Sequence, residues 1–245
     1  MYNVVAINSK GKFRNINNDY VLVNEQIIQD NFINIESERI VAVVCDGVGE
    51  YDGSSDAARI ALEDIKENGI NCIEEDMKRI EKRILENKTK KKLKESLTTI
   101  AGIVGNGSEL LVFNIGDTKI YKIVTDYIEQ VSNDDSLYII YKSLGLKQEE
   151  KTKNTITNCL GINGASVHYS QIGDLKDNEV LMICSDGMSN DMNYKDVISI
   201  INGREQSLFN KAINLTEIVK SQNNKDNLSV ILIRKCIQRN SRLVK

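Results

Sequence analysis

The sequence predicts an α+β layered domain. Apolar runs rich in Val and Ile, bounded by Gly, Asn and Asp, recur along the whole chain, as strands do. Helical patterns come instead as two pairs, each following a long interval of such runs. A strictly alternating βαβ protein would interleave single helices with single strands. No internal repeat, low-complexity linker or Gly/Ser hinge divides the 245 residues, so one domain is expected over 1–238, with a short basic tail at 239–245 that frays.

In chain order, strands are expected at 3–7, 20–23 and 39–45, the last containing the apolar stretch IVAVVC. Helical periodicity then covers about 55–66 and about 73–94. In the second piece Ile73, Met77, Ile80 and Ile84 form an apolar stripe with Lys and Glu elsewhere. Strands follow at 99–104, 109–115, 119–124 and 127–131. The runs 109–115 and 119–124 flank the short segment Gly116-Asp117-Thr118 and read as a hairpin. Strands at 167–172 and 180–184 precede the second helical pair, at 194–201 and 205–220, where Leu208, Ala212, Leu215 and Val219 make the stripe. A last strand occupies 228–233.

Composition narrows the function. The net charge of −3 provides no basic field for nucleic acid, and the Lys-rich cluster 88–94, with no interleaved aromatics, reads as a solvated helix end. The longest purely apolar run, 40–45, is far short of the roughly 20 residues a membrane span needs. The N-terminal residues lack the apolar core of a signal peptide, and five cysteines without a CxxC pair suit a reducing compartment. A cytoplasmic, monomeric protein is expected. His168, the single histidine, excludes a zinc site needing two and is the one candidate for a histidine base, so an enzyme's chemistry is expected to rest on carboxylates.

Four aspartates stand alike at strand ends. Asp46 follows IVAVVC, Asp117 follows LLVFNIG, Asp186 follows VLMICS, and Asp226 precedes LSVILI. Each could be a turn residue, since Asp-Gly is a common turn dipeptide. If the fold gathers them, their repulsion needs a cation, and an oxygen-only set favours Mg²⁺ or Mn²⁺. Arg14, just before the strand at 20–23, offers a planar guanidinium suited to phosphate.

The ordered set GKFRNINND, VVCDGVG, LTTIAGIV, LLVFNIGDTKIY, VSNDDS, TNCLG, VLMICSDGMSND and KDNLSVILI, spanning about 11–233, resembles the type 2C metal-dependent protein phosphatases in their compact bacterial form. The resemblance implies a central antiparallel β-sandwich flanked by pairs of helices, a four-layer αββα arrangement. It also implies hydrolysis of phosphoserine and phosphothreonine on proteins at a binuclear Mg²⁺ or Mn²⁺ centre, opposing a cognate serine/threonine kinase. Carried over by position, Asp46 bridges two metals, the Gly47 carbonyl completes the second, and Asp186 and Asp226 hold the first. Asp19 acts on the metals through water, and Arg14 binds phosphate. Asp117, with Asp186, matches the third, weaker metal position of bacterial members.

The chain departs from the family pattern at four places. Asn18 replaces the usual Glu before Asp19, Val48 a frequent His, Glu50 a Gly, and Asn190, beside Asp191, a further acid. The segment 138–158 stands where the bacterial flap lies and is short. Ser185, beside Asp186, is structural rather than nucleophilic. Asn18 and Asn190 keep open a rival reading, a non-catalytic phosphoprotein-binding pseudophosphatase, and a third is a hydrolase of small phosphoesters.

Overall fold

Strand pairing in a computed structural model resolves into two six-stranded antiparallel sheets. The structure describes all residues except 50, 106–108, 148–151, 153, 204, 205, 223 and 237–245. Glu50, the helix start at 205, the tail 239–245 and part of the segment 138–158 therefore lie wholly or partly outside the described residues.

The first sheet contains β1 (Tyr2–Ser9), β4 (Phe32–Ser37), β8 (Lys119–Val124), β9 (Tyr127–Gln130), β11 (Val180–Cys184) and β12 (Leu228–Lys235), in the order β4-β1-β12-β11-β8-β9. The second contains β2 (Tyr20–Val23), β3 (Gln26–Ile28), β5 (Ile40–Cys45), β6 (Ile100–Gly105), β7 (Glu109–Ile115) and β10 (His168–Gly173), in the order β10-β7-β6-β5-β2-β3. Because successive strand residues face opposite sides, each central strand feeds two cores. Val4, Val44 and Ile183 meet between the sheets. Val43 and Phe113 turn out to α1 (Ser54–Asn68) and α2 (Ile73–Lys91), while Val5 and Met182 turn out to α5 (Tyr194–Asn202) and α6 (Leu208–Ser221). The result is the expected αββα sandwich. Burial on both faces is why the run IVAVVC is apolar throughout instead of alternating.

Both predicted stripes are buried: Ile73, Met77, Ile80 and Ile84 on α2, and Leu208, Ala212, Leu215 and Val219 on α6. Truncating an isoleucine such as Ile80 to Ala costs about 2–5 kcal/mol. α2 begins with Glu74, Glu75 and Asp76 and ends with Lys88, Lys90 and Lys91, matching the helix dipole at both ends. It stops at Lys91 rather than 94 because Lys92 takes a left-handed conformation (φ 54°). The Lys-rich cluster is thus a helix end, with Lys88 paired to Glu95 at 2.8 Å and Lys91 to Asp56 at 2.6 Å. α6 starts at Leu208, where the Ser207 hydroxyl accepts from the Asn210 N–H.

The expected hairpin between 109–115 and 119–124 is corrected. β7 pairs with β6 and β10 in one sheet, whereas β8 pairs with β11 and β9 in the other. Gly116-Asp117-Thr118 is a crossover between the two sheets. Gly116 turns the chain at φ +97° and lies so close to Thr99 that a β-carbon would meet its side chain at 2.7 Å. The hydroxyls of Thr99 and Thr118 are 2.6 Å apart. A short gap between two apolar runs looks the same in sequence whether the chain doubles back or changes sheet.

Candidate active site

Antiparallel register brings the aspartates together. Tyr20 pairs with Cys45, so Asp19, preceding one strand, lies beside Asp46, following the other. In the first sheet Cys184 pairs with both Lys119 and Val230, so Asp186 emerges next to Asp117 and to the segment leading from Asp226. Asp19 and Asp46 thus come from one sheet, Asp186 and Asp226 from the other, and Asp117 from the crossover between them.

Each is held by backbone or hydroxyl groups. The Asp46 carbonyl accepts from the Thr99 N–H (2.8 Å) and the Thr98 hydroxyl (3.0 Å). Asp19 is 1% exposed; its Oδ2 accepts from the Ser229 hydroxyl at 2.7 Å, and its Oδ1 has no hydrogen-bond partner. Ser229 Oγ in turn accepts from Asn8 Nδ2 at 2.8 Å, and Asn8 Oδ1 from Asn17 Nδ2 at 2.8 Å, a buried chain that fixes the Asp19 carboxylate. Ser185 is fully buried, its Oγ accepting from the Ser229 N–H at 3.1 Å, which is a structural role. Arg14 forks onto Asp226, Nε to Oδ1 at 2.9 Å and a terminal nitrogen to Oδ2 at 3.0 Å. Arg14 therefore joins the cluster through a carboxylate, and phosphate recognition requires the guanidinium to share or exchange that partner.

The electrostatics are those of crowded acids. Burial, followed by the charges of Asp19, Asp186, Asp117 and Asp226, pushes Asp46 well above the usual carboxylate range. Burial also raises Asp19 to about 7, and raises Asp117 to about 7 with Asp186 adding to the effect. Asp186 rises through burial and then Asp226. Four buried carboxyls, at Asp19, Asp46, Asp117 and Asp186, whose ionisation is opposed by burial and by neighbouring charge, with a buried acceptor lacking a donor, fit a divalent cation. Among the described residues no three His, Cys, Asp or Glu side chains form a ready-made chelate.

Several positioning residues carry no local sequence signal. Asn227 ties the Arg14 loop to the site: its side chain donates to the carbonyls of Lys10 (2.8 Å) and Ile16 (3.1 Å) and accepts from the Asn18 N–H (2.9 Å). Asp135 accepts from the Gly116 N–H (2.9 Å) and Asn158 Nδ2 (2.8 Å) and meets His168 Nε2 at 2.8 Å, bracing the crossover that carries Asp117. Lys119 donates to the Asp117 carbonyl at 3.1 Å and pairs with Asp134 at 3.4 Å. Adjacency to Asp226, and the acidic run at 134–135, are the only hints the sequence offers for the first two.

At the points of departure, Asn18 Nδ2 donates to the Gly49 carbonyl at 3.3 Å, bracing the turn after Asp46. The Val48 N–H donates to the Leu97 carbonyl at 3.0 Å. Asn190 is exposed and reaches Asn154 at 3.4 Å, while Asp191 accepts from Asn224 at 3.0 Å. Gly187 meets the opposite strand so closely that a β-carbon would lie 2.1 Å from the Asn227 carbonyl oxygen. Gly187→Ala is expected to force Asp186 away from Asp226, costing about 1–3 kcal/mol as overpacking does. It should also raise the Mn²⁺ concentration needed for half-maximal thermal stabilisation. An unchanged melting temperature and Mn²⁺ requirement would show that the two aspartates do not depend on this approach.

A four-layer αββα sandwich with aspartates of both sheets gathered at one rim defines the class of protein. The family model for protein phosphatase 2C matches residues 20–220, and the chain belongs to that family, as the motif order indicates. The serine/threonine phosphatase stp of Listeria innocua is 23% identical over 150 residues, which is 59% of this chain and 59% of that protein. The solved structure of serine/threonine phosphatase Stp1 from Staphylococcus aureus superposes with a TM-score of 0.83 at 20% identity, over 97% of this chain and 96% of that one. The catalytic domain of serine/threonine protein phosphatase PstP, solved in complex with 2 manganese ions, gives 0.78 at 16% identity over 96% and 99%.

Proposed function

We propose that the protein hydrolyses phosphoserine and phosphothreonine esters on proteins with two divalent cations, Mg²⁺ or Mn²⁺, and a weaker third position at Asp117 and Asp186. The observation that carries this reading is the convergence of Asp19, Asp46, Asp117, Asp186 and Asp226, with the buried, partnerless Oδ1 of Asp19 among them. Family membership and the names of the relatives support it. Asp46, Asp186, Asp226 and the Gly47 carbonyl are the groups that would hold the cations, and Asp19 and Asp117 would complete the negative field. Bound there, such ions supply a water of lowered pKa as nucleophile and charge stabilisation for the phosphoryl oxygens. Arg14 orients the phosphate through its planar fork, and Asn227 positions Arg14 by holding the loop on either side of it. Because water is the nucleophile in this reading, no covalent phosphoenzyme is expected.

The setting consistent with this activity is cytoplasmic, with a monomer acting on phosphoproteins of a cognate kinase. Among the described residues no helix is long and apolar enough to cross a membrane.

Asn18 favours a second reading, a pseudophosphatase, because it removes one negative charge beside the cluster. Charge changes near a metal centre without loss of a ligand alter affinity or activity by about 10–100-fold, which leaves a working site. A Mn²⁺ titration of wild type and Asn18→Glu on p-nitrophenyl phosphate tests this. The expected result is activity in both, abolished by chelator, with Asn18→Glu needing less Mn²⁺ and the saturated rates staying closer together. Wild type inactive at every Mn²⁺ concentration, with turnover appearing only in Asn18→Glu, would establish the pseudophosphatase.

A further inference from the structure

Beside the carboxylate cluster lies a cavity of about 410 Å³ of whose lining the proposed phosphate chemistry uses Arg14 alone. Arg14 forms part of its wall, with Phe13, Ile16, Tyr51, Asp52 and Ser55 around it. Three of these are large apolar side chains left in water: Phe13 is 51% exposed, Ile16 66% and Tyr51 44%. Exposed apolar residues scattered singly need no explanation, but three around one concavity at the edge of a reactive site mark a binding surface. Phe13 carries Lys12 Nζ 5.5 Å from its ring centroid. Asn227 fastens the Ile16 carbonyl and, through the Asn18 N–H, the chain beyond it, so this wall is held in place.

We infer that this cavity is a specificity subsite receiving the apolar side chain of a substrate residue one or two positions from the phosphorylated serine or threonine. The inference rests on the phosphatase reading, in which Arg14 holds the phosphate. Consecutive Cα atoms of an extended peptide are about 3.8 Å apart, so a pocket sharing a wall with the phosphate-binding arginine is within reach only of immediate neighbours. The occupant is apolar because Phe13, Ile16 and Tyr51 offer it apolar surface.

The test is a set of short phosphopeptides on an alanine background, with Ala, Leu, Phe or Asp placed in turn at the two positions on each side of phosphoserine. Wild type, Ile16→Ser and Tyr51→Ala are assayed with Mn²⁺, and free phosphoserine, which has no neighbouring residue, is the small ester that places nothing in the cavity. Wild type should prefer Leu or Phe over Ala at one position by about tenfold in kcat/KM, the scale on which apolar pockets discriminate. Both variants should lose most of that preference while hydrolysing the small ester within about twofold of wild type. A flat peptide series in a wild type that hydrolyses the small ester overturns the subsite. So does a preference that survives both substitutions, or a loss of small-ester hydrolysis in the variants. If wild type hydrolyses neither the small ester nor any peptide, it is the phosphatase reading that fails.

Discussion

Asp46→Asn is expected to reduce turnover of a small phosphoester about a thousandfold or more at saturating Mn²⁺. Asp46 is the one carboxyl whose ionisation is opposed by all of Asp19, Asp186, Asp117 and Asp226, so it sits where the field of the cluster converges. The amide keeps the shape and removes the charge that would hold two cations. Losing several kcal/mol of metal-derived stabilisation corresponds to about three orders of magnitude in rate. Asp186→Asn should behave alike. Arg14→Ala should differ, raising KM more than it lowers kcat, since its proposed part is to bind the phosphate. Steady-state kinetics on p-nitrophenyl phosphate separate the cases. Substantial turnover in Asp46→Asn would remove it from the centre, and an unchanged KM in Arg14→Ala would remove the arginine from the phosphate.

The second large effect is a metal-dependent and pH-dependent change in stability. Asp19 and Asp117 titrate at about 7 in the folded chain, against about 3.9 in unfolded peptides. A carboxyl raised in this way favours the folded state while both states are protonated, and loses that contribution as pH rises through the folded pKa. In chelator, the melting temperature should therefore fall between about pH 5 and pH 8. Carboxylates held below their usual range, such as Asp76 and Asp174, act in the opposite sense only under more acidic conditions. A cation present at a hundred times its dissociation constant adds about 2.7 kcal/mol. For a chain of this size that is about 5–11 °C. The gain should be large at pH 7.5 and small at pH 5, where protons compete for the same oxygens. Thermal melts with and without Mn²⁺ at both pH values measure it. No gain at pH 7.5 would mean that the cluster binds no ion.

Much of the architecture was legible because strands buried on both faces leave unbroken apolar runs, and the amphipathic helices show their stripes plainly. The elements missed lack that signal. β3 and β4 are edge strands, and Phe32–Ser37 alternates exposed and covered residues with only Ile33 fully buried. The helix α3 (Leu137–Ser143) buries none of its residues, and α4 (Asp186–Ser189) is a single turn. The aspartates were visible because a carboxylate at the end of an apolar run is conspicuous. Their partners were not, because Ser229 reaches Asp19, and Asn227 reaches the Arg14 loop, across more than two hundred residues, a pairing no local pattern records.

The rim where the sheets meet also bears on how this chain can change. Selection for a sturdier fold alone would favour neutralising Asp19, Asp46 and Asp117, whose ionisation burial opposes. Keeping them sets folding and the proposed chemistry in competition at the same atoms, as active sites often do. Laboratory evolution toward heat resistance, run without divalent cations, would therefore be drawn to Asp19, Asp46 and Asp117 first. The sturdiest descendants would be the ones least able to hold a cation.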